Sequence, residues 1–505
     1  MRTRLLLVAL ALSAILSGCR STAPTSAPTD RPDPAAPLLG VAWDDRTPFR
    51  QGLRPEAQGM LESMPGASVY QIDLRIPADL AVLTGQESVR YTNQETVPLA
   101  EVYFQLFPNN AGGRTEVTRL LVNGQAVTPA LAYQDSALRV PLPQPLAPGE
   151  AAVITMDWAV QVSREMEGNY GLFGYLDGVL VLDEFYPVIP VYDDEGWNVQ
   201  DPPQNADTSY FDMSFYLVRV TAPAGLTLAA SGVEVDRQEA GAEQVVTLAA
   251  GPMRDFYIAA SADFTVVETM QDGIRINSYA PARLASGAQR ALDTAGQALA
   301  IYGQRFGPYP YTEFDVVSTP MLALGIEYPG LTGISLELYE ATGEMSGTPL
   351  PALLEAVVAH EVGHQWFYNL VGSDQIDEPW LDEAVTQYVT GLYYRDRYGA
   401  AAERSYRASW DGRWSRVQRE EIPIGRPAGS YDPQEYSPII YGRGPYFLSA
   451  LEEELGPESF AAFLRDYVQN YAWGIASTDA FRRLAEEHCG CDLEALFQEW
   501  VYEEP

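Results

Sequence analysis

The sequence contains no lysine: all 32 of its basic residues are arginine. Lysine-based covalent chemistry is thereby excluded. Basic residues are also few beside the 68 acidic ones, and a formal net charge of −36 argues against nucleic acid or an anionic membrane surface as a partner. Histidine and cysteine are scarcer still, with three of each in 505 residues. No apolar run is long enough to cross a bilayer. The stretch Leu5 to Leu16 covers twelve residues, against the roughly 20 that a spanning helix needs.

Two of the three histidines fall within one motif, H-E-V-G-H at residues 360–364. Residues four apart share one face of an α-helix, so His360 and His364 direct two imidazoles at the same point. Catalytic zinc takes three protein ligands and keeps a fourth position for water. Glu361 is placed to touch that water as a general base. The recurrence of Leu353, Leu354, Val357, Val358, Val362, Trp366 and Phe367, with Pro351 in a first turn, predicts a helix reaching Phe367. A second helix is expected from about Glu378, through Leu381, Val385, Tyr388 and Leu392, to a stop at Gly399. Glu383 lies in its first two turns, with eighteen residues between it and His364, which is room to end one helix and bring a carboxylate back over the histidine face. An unligated histidine pair on so apolar a helix would be an uncompensated cost. One zinc ion per chain, held by His360, His364 and Glu383, is therefore expected.

The stretches H-E-V-G-H-Q-W-F-Y-N-L-V (residues 360–371) and W-L-D-E-A (residues 380–384) resemble the gluzincin metallopeptidases of the aminopeptidase N family. Two further segments carry the resemblance. L-G-I-E-Y-P-G-L (residues 324–331) is similar to the family's substrate-binding Gly-x-Met-Glu-Asn-Pro-Gly strand, and Y-G-R-G (residues 441–444) to the segment bearing its catalytic tyrosine. The resemblance implies that Tyr441 donates a hydrogen bond to the oxyanion, as a neutral phenol can. It also implies that Glu327 and Gly325 bind substrate, with Glu327 pairing with a free α-amine. Leu324, Ile326 and Tyr328 depart from the family strand. The segment after Tyr186 is similar to a Pro-x-x-Asp-Glu-Pro element, and Glu184 just upstream is the candidate for a second amine-holding carboxylate. Asp183 and Glu184 read equally well as a solvated turn in a very acidic protein.

The N-terminus begins with Arg2 and Arg4, continues into the apolar run, and reaches Leu16-Ser-Gly-Cys19. This pattern is a signal peptide over residues 1–18. It resembles a bacterial lipobox, which implies a lipidated Cys19 and a membrane anchor in the cell envelope, outside the cytoplasm. Residues 19–60 are a Pro/Ser/Thr-rich spacer and lead-in. From Ser68 the period changes to two, with Tyr70, Ile72, Leu74 and Ile76 alternating with Gln71, Asp73 and Arg75. Asn123-Gly124 between apolar flanks marks a hairpin, and Ile154, Met156, Trp158 and Val160 alternate again. Residues 61–268 are accordingly expected to form a β-sandwich-type domain. Helical periodicity from about Leu284 to Gly307, a strand over residues 313–319 and helices at 441–454, 457–471, 478–487 and 492–502 assign residues 269–505 to a second domain. The resemblance makes it a thermolysin-like, mainly helical catalytic lobe. The fold class is multidomain α+β. Cys489-Gly-Cys491, beside His488, reads as a local disulfide or two thiols before a metal site, because structural zinc is four-coordinate.

The function implied is that of a zinc aminopeptidase acting on peptides with a free N-terminus. No protein partner is expected. The many relatives with a further helical C-terminal domain have more covering the cleft than this sequence leaves room for, so longer peptides are expected to enter. Alternatives are a zinc endopeptidase or non-peptide hydrolase on the same lobe, and a lipoprotein that retains zinc without turnover. Glu361 speaks against the last, since a binding protein has no use for a base.

Overall fold

The computed structural model describes residues 36–502 except 167, 169, 201, 202 and 204–208. Cys19, the expected signal peptide and residues 20–35 of the expected spacer and lead-in lie outside the described residues. The β-rich part is built on an eight-stranded sheet with Val69–Arg75 near its middle. That strand pairs parallel with Ser214–Pro223 and antiparallel with Val82–Thr92. The alternation read from sequence holds for Tyr70, Ile72 and Leu74, which are buried. Gln71 departs from it and is buried as well. The lead-in covers it, with the Leu39 amide donating to Gln71 Oε1 (2.8 Å) and Gln71 Nε2 donating to the Val41 carbonyl (2.7 Å). Asn123 and Gly124 turn the chain at φ 47° and 76° between Arg114–Val122 and Gln125–Ala126, the hairpin expected of that dipeptide.

A four-stranded sheet is ordered Thr227–Ala230, Ile258–Ser261, Val179–Leu182 and Phe173–Leu176. Just past Leu182, Phe185 and Tyr186 pack edge-on to Trp158, Tyr70 and Tyr216 of the large sheet, so aromatic rings fill the layer between the two. Such ring pairs add about 0.5–1.5 kcal/mol each beyond the area they bury. Two strand ends deliver charged residues: Val179–Leu182 runs directly into Asp183 and Glu184, and Glu243–Met253 runs directly into Arg254 and Asp255.

A five-stranded sheet comes next, ordered Phe264–Gln271, Ile274–Pro281, Glu313–Thr319, Leu331–Ser335 and Gly325–Tyr328. Its first strand straddles the boundary expected at residue 268. The period-two pattern there reads as part of the β domain, but the strand pairs forward, through Val267↔Ser278 and Glu268↔Asn277, with the sheet of the catalytic part. The two parallel strands Ile274–Pro281 and Glu313–Thr319 are joined through the helix Ala285–Phe306. Its buried face of Ala288, Leu292, Ala295, Leu299 and Tyr302 supports the motif helix, and the Tyr302 hydroxyl donates to the Ala359 carbonyl (2.9 Å).

The motif helix spans Leu350–Gly363 and stops earlier than expected, with His364 as its C-cap. Trp366 and Phe367 are buried beyond it in a wide turn, in which the amides of Asn369, Leu370 and Val371 bond to the carbonyls of His364, Gln365 and Trp366. Burial produced the periodic signal, and backbone bonding five residues back replaced the helix. The second helix, Trp380–Tyr398, begins after Pro379 and ends at Gly399. Ala400–Trp414 is helical too, although no sequence signal marked it; Trp410 is its one buried apolar side chain. The helix expected from Tyr441 is instead a π-helical turn, Ile439–Arg443, leading into Gly444–Leu455. Helices Pro457–Tyr471, Thr478–Cys489 and Glu494–Trp500 complete the part, and Cys489 is joined to Cys491. The last helix is shorter than the sequence suggested.

Candidate active site

The two motif helices bring His360, His364 and Glu383 together, all buried. His360 Nε2 lies 3.2 Å from Glu383 Oε2 and 3.2 Å from His364 Nε2, and His364 Nε2 lies 3.5 Å from Glu383 Oε2. Ligands about 2.0–2.1 Å from zinc in a tetrahedron stand about 3.3–3.4 Å from one another. The three donor atoms therefore trace one face of a zinc tetrahedron. His364 Nδ1 is 3.0 Å from the Phe367 carbonyl. A carbonyl only accepts, so Nδ1 carries the proton and Nε2 presents its lone pair to the triad.

Electrostatics also favours a cation here. Burial opposes charge on His364, yet Glu327, Glu383 and Glu361 outweigh it and hold the imidazole well above its ordinary pKa. For Glu383 burial acts upward, but His364 and His360 hold the carboxyl well below the usual range. Burial pushes Glu361 up against the opposing field of His364, and pushes up Asp382, which also faces Glu383. Buried acids outnumber the imidazoles, and a divalent ion at the triad would restore the balance.

Glu361, Glu327 and His364 form a second group whose ligand atoms lie within 4.8 Å of one another, as do those of the metal triad. The strand Gly325–Tyr328 is an edge strand, with Glu327 opposite Thr332, and it delivers Glu327 against the motif helix. Gly325 lets the strand approach that closely: a Cβ there would stand 2.4 Å from Glu361 Oε1. Gln375 Nε2 donates to Glu327 Oε1 (2.9 Å) and to Asp382 Oδ2 (2.7 Å), tying the strand to the second motif helix. Burial is the main cause of Glu327's raised pKa.

Tyr441 sits half-buried on the π-helical turn with its ring centroid 6.1 Å from that of His360. Such turns are frequent at functional sites because they redirect one side chain. Arg443, in the same segment, faces away: its guanidinium donates to the carbonyls of Trp500 (2.7 Å) and Glu499 (2.8 Å) and so fastens the last helix.

Glu184 is no solvated turn. It is 1% exposed, with φ +39°, and accepts from the Ser209 hydroxyl at Oε1 (2.7 Å), while Oε2 has no protein partner among the described residues. Burial raises its pKa to about 8. Asp183 beside it lies in the fields of Glu184, Asp255 and Glu327. Acids of the β-rich part and the Glu327 strand thus face one region. The sequence reading missed Gln375, Asp382, Arg254 and Asp255. Asp382 adjoins Glu383 and could have been suspected; the others carry no local signal. His488 pairs with Asp466 (3.1 Å) and joins no metal cluster among the described residues.

Residues 290–500 match the peptidase family M1 domain. Aminopeptidase M1-C of Oryza sativa subsp. japonica is 23% identical over 463 residues, 86% of this chain and 49% of that protein. Aminopeptidase M1-A of the same plant is 25% identical over 250 residues, 46% of this chain and 27% of that protein. The chain thus spans about half or less of the length of these plant relatives. The M1 zinc metallopeptidase from Deinococcus radiodurans, seen by crystallography, superposes with a TM-score of 0.67 at 22% identity, over 87% of this chain and 95% of that one. A mutant of it bound to a Tyr-Ser-Ala substrate gives 0.66 at 23% identity over the same shares. Residues 290–500 are thus similar to the M1 peptidase domain, and the chain shares with the Deinococcus structure a two-domain fold, a β-sheet-rich domain followed by a mainly helical region.

Proposed function

We propose that this protein is a zinc aminopeptidase of the M1 type that removes N-terminal residues from peptides with a free α-amine. The observation that carries the reading is the pair of ligand groups meeting at His364: the His360/His364/Glu383 triad on one side, Glu361 and Glu327 on the other. A zinc ion held by the triad supplies Lewis acidity, polarising a peptide carbonyl and acidifying a water. Glu361 accepts the water's proton and returns it to the leaving amine. The Tyr441 phenol donates to the oxygen that gains charge at the scissile carbonyl. Glu327, with Glu184 from the β-rich part, takes the substrate's ammonium, so that the first peptide bond is the one presented to Glu361. The peptide-bound Deinococcus mutant supports a peptide as the substrate class.

A panel of aminoacyl fluorophores and N-acetylated peptides, assayed with and without chelator, tests the proposal. Cleavage restricted to free-amine substrates and abolished by chelator is expected. Chelator-insensitive turnover would overturn the zinc reading, and internal cleavage of acetylated peptides at equal rate would favour the endopeptidase.

We also propose lipid attachment at Cys19 and residence in a bacterial envelope, on the strength of the Leu16-Ser-Gly-Cys19 sequence. Among the described residues no helix is long and apolar enough to cross a membrane. Mass spectrometry of the native N-terminus decides this, an unmodified N-terminus counting against the anchor.

A further inference from the structure

Arg254 and Asp255 have no part in the chemistry above, yet both are 2% exposed and both reach the turn that succeeds the metal ligand His364. Arg254 Nε donates to the carbonyls of Tyr368 (2.8 Å) and Asn369 (3.1 Å), Nη1 to that of Phe211 (2.9 Å), and Nη2 to that of Gly474. Backbone carbonyls therefore satisfy a guanidinium whose burial would otherwise be costly. The fit is close: a Cβ at Gly372 would stand 2.3 Å from the guanidinium carbon. Asp255 Oδ2 accepts from the Tyr368 hydroxyl at 2.6 Å. Adjacent residues of the β-rich part thus hold both the backbone and the side chain of Tyr368.

Tyr368 needs holding. Its φ is +132°, which side-chain-bearing residues rarely adopt and which persists only where the surroundings over-determine it. The residue before it is Phe367, whose carbonyl accepts from His364 Nδ1 (3.0 Å) and fixes that ligand's tautomer and ring orientation. His360 Nδ1 has no such partner among the described residues. His364 is therefore the ligand whose aim the protein sets from behind, and the setting is anchored at Tyr368.

We propose that Arg254 and Asp255 are positioning residues for the metal. By fixing Tyr368 they fix the Phe367 carbonyl, and through it His364, so that the β-rich part governs how tightly the helical part holds zinc. The inference rests on zinc occupying the triad and is independent of the substrate class.

The test compares the wild-type protein with Tyr368→Phe, Asp255→Asn and Arg254→Met. The readouts are the zinc dissociation constant by chelator competition, the visible spectrum after cobalt substitution, and the thermal midpoint of the metal-free protein. Removing an outer-shell partner of a metal ligand weakens metal binding about 10- to 100-fold. These residues act one step further out, so about a three- to tenfold loss is expected for Tyr368→Phe and about tenfold or more for Arg254→Met, each with displaced cobalt bands. A residue that only joined the two parts would lower the thermal midpoint and leave dissociation constant and spectrum alone. That outcome in Tyr368→Phe and Asp255→Asn overturns the proposal, even where Arg254→Met fails to fold. A wild type without zinc affinity removes the premise, and the proposal with it.

Discussion

Changing Glu327 to glutamine asks whether the edge-strand carboxylate selects a free N-terminus. The substitution keeps shape and an acceptor, so Gln375 Nε2 can still donate to the side-chain oxygen it now reaches at 2.9 Å. It leaves the three triad side chains, whose donor atoms lie 3.2–3.5 Å apart, unchanged, and zinc should remain bound. What is lost is one charge-assisted contact to an ammonium in a buried setting, Glu327 being 5% exposed. Such a contact, with the cost of leaving the substrate's charge unmatched, is on the order of 2–4 kcal/mol, or roughly thirtyfold to a thousandfold in kcat/KM. Acetylating the substrate amine removes the same contact from the other side. The assay is kcat/KM for matched free and acetylated peptides on wild type and Glu327→Gln, with zinc content measured in parallel. The two changes should be strongly non-additive, because each removes half of one interaction. If wild type cleaves both peptides equally, or if the two losses simply add, Glu327 does not bind the amine and the aminopeptidase reading falls.

Glu361→Gln should retain one zinc per chain and lose about a hundredfold to ten-thousandfold in kcat, the range for a general acid–base, as measured by metal analysis beside turnover. Glu184, with its pKa raised to about 8, is largely protonated at pH 7 in the free protein, so pairing with an ammonium should expel a proton there and much less near pH 9. Calorimetry of a free-amine inhibitor in buffers of different ionisation enthalpy measures this, and Glu184→Gln should reduce it. Glu87 is fully buried, its carboxylate oxygens have no close hydrogen-bond partner among the described residues, and burial pushes its pKa well above the usual range against the opposing effect of the nearby Trp158 indole. A carboxyl raised by folding leaves stability untouched below its unfolded pKa of about 4.3, then erodes it by about 1.4 kcal/mol per pH unit until the folded pKa is reached. Glu87→Gln should therefore match wild type in thermal midpoint near pH 4 and exceed it increasingly towards pH 7 and above; an equal gain at both pH values would refute the assignment.

The metal triad was legible because its determinants are local. A four-residue spacing fixes the two histidines on one helical face, and a second helix starting near Pro379 fixes Glu383, so no long-range information was needed. The hairpin at Asn123-Gly124 was legible for the same reason, through the backbone those residues favour. Periodicity failed where burial and helicity part company. Trp366 and Phe367 continue the apolar pattern of the motif helix but are buried in a turn, and Phe264–Gln271 has strand character yet no local mark of which sheet it joins. Ala400–Trp414 showed the converse, a helix with too little buried apolar surface to leave a pattern.

Gln375, Arg254 and Asp255 were invisible for a further reason. Each acts on residues far away in sequence: Gln375 on Glu327, Arg254 on Tyr368, Asn369 and Gly474, and Asp255 on Tyr368. Spacing along the chain constrains none of these contacts, and an isolated arginine or aspartate in so acidic a sequence draws no notice. Of the residues given chemistry in the proposed mechanism, Glu361, Glu383 and Glu327 sit on regular elements whose geometry the sequence encodes. Those that hold them sit where elements end, on the Glu243–Met253 strand end and in the turn beyond Gly363. A strained residue such as Tyr368 is stable only if several remote partners agree on its position. On the reading proposed above, the β-rich part does more than present Glu184 to a substrate. Through Arg254 it closes a path of hydrogen bonds that ends at His364, and the zinc affinity of the helical part should depend on a fold to which none of its ligands belongs.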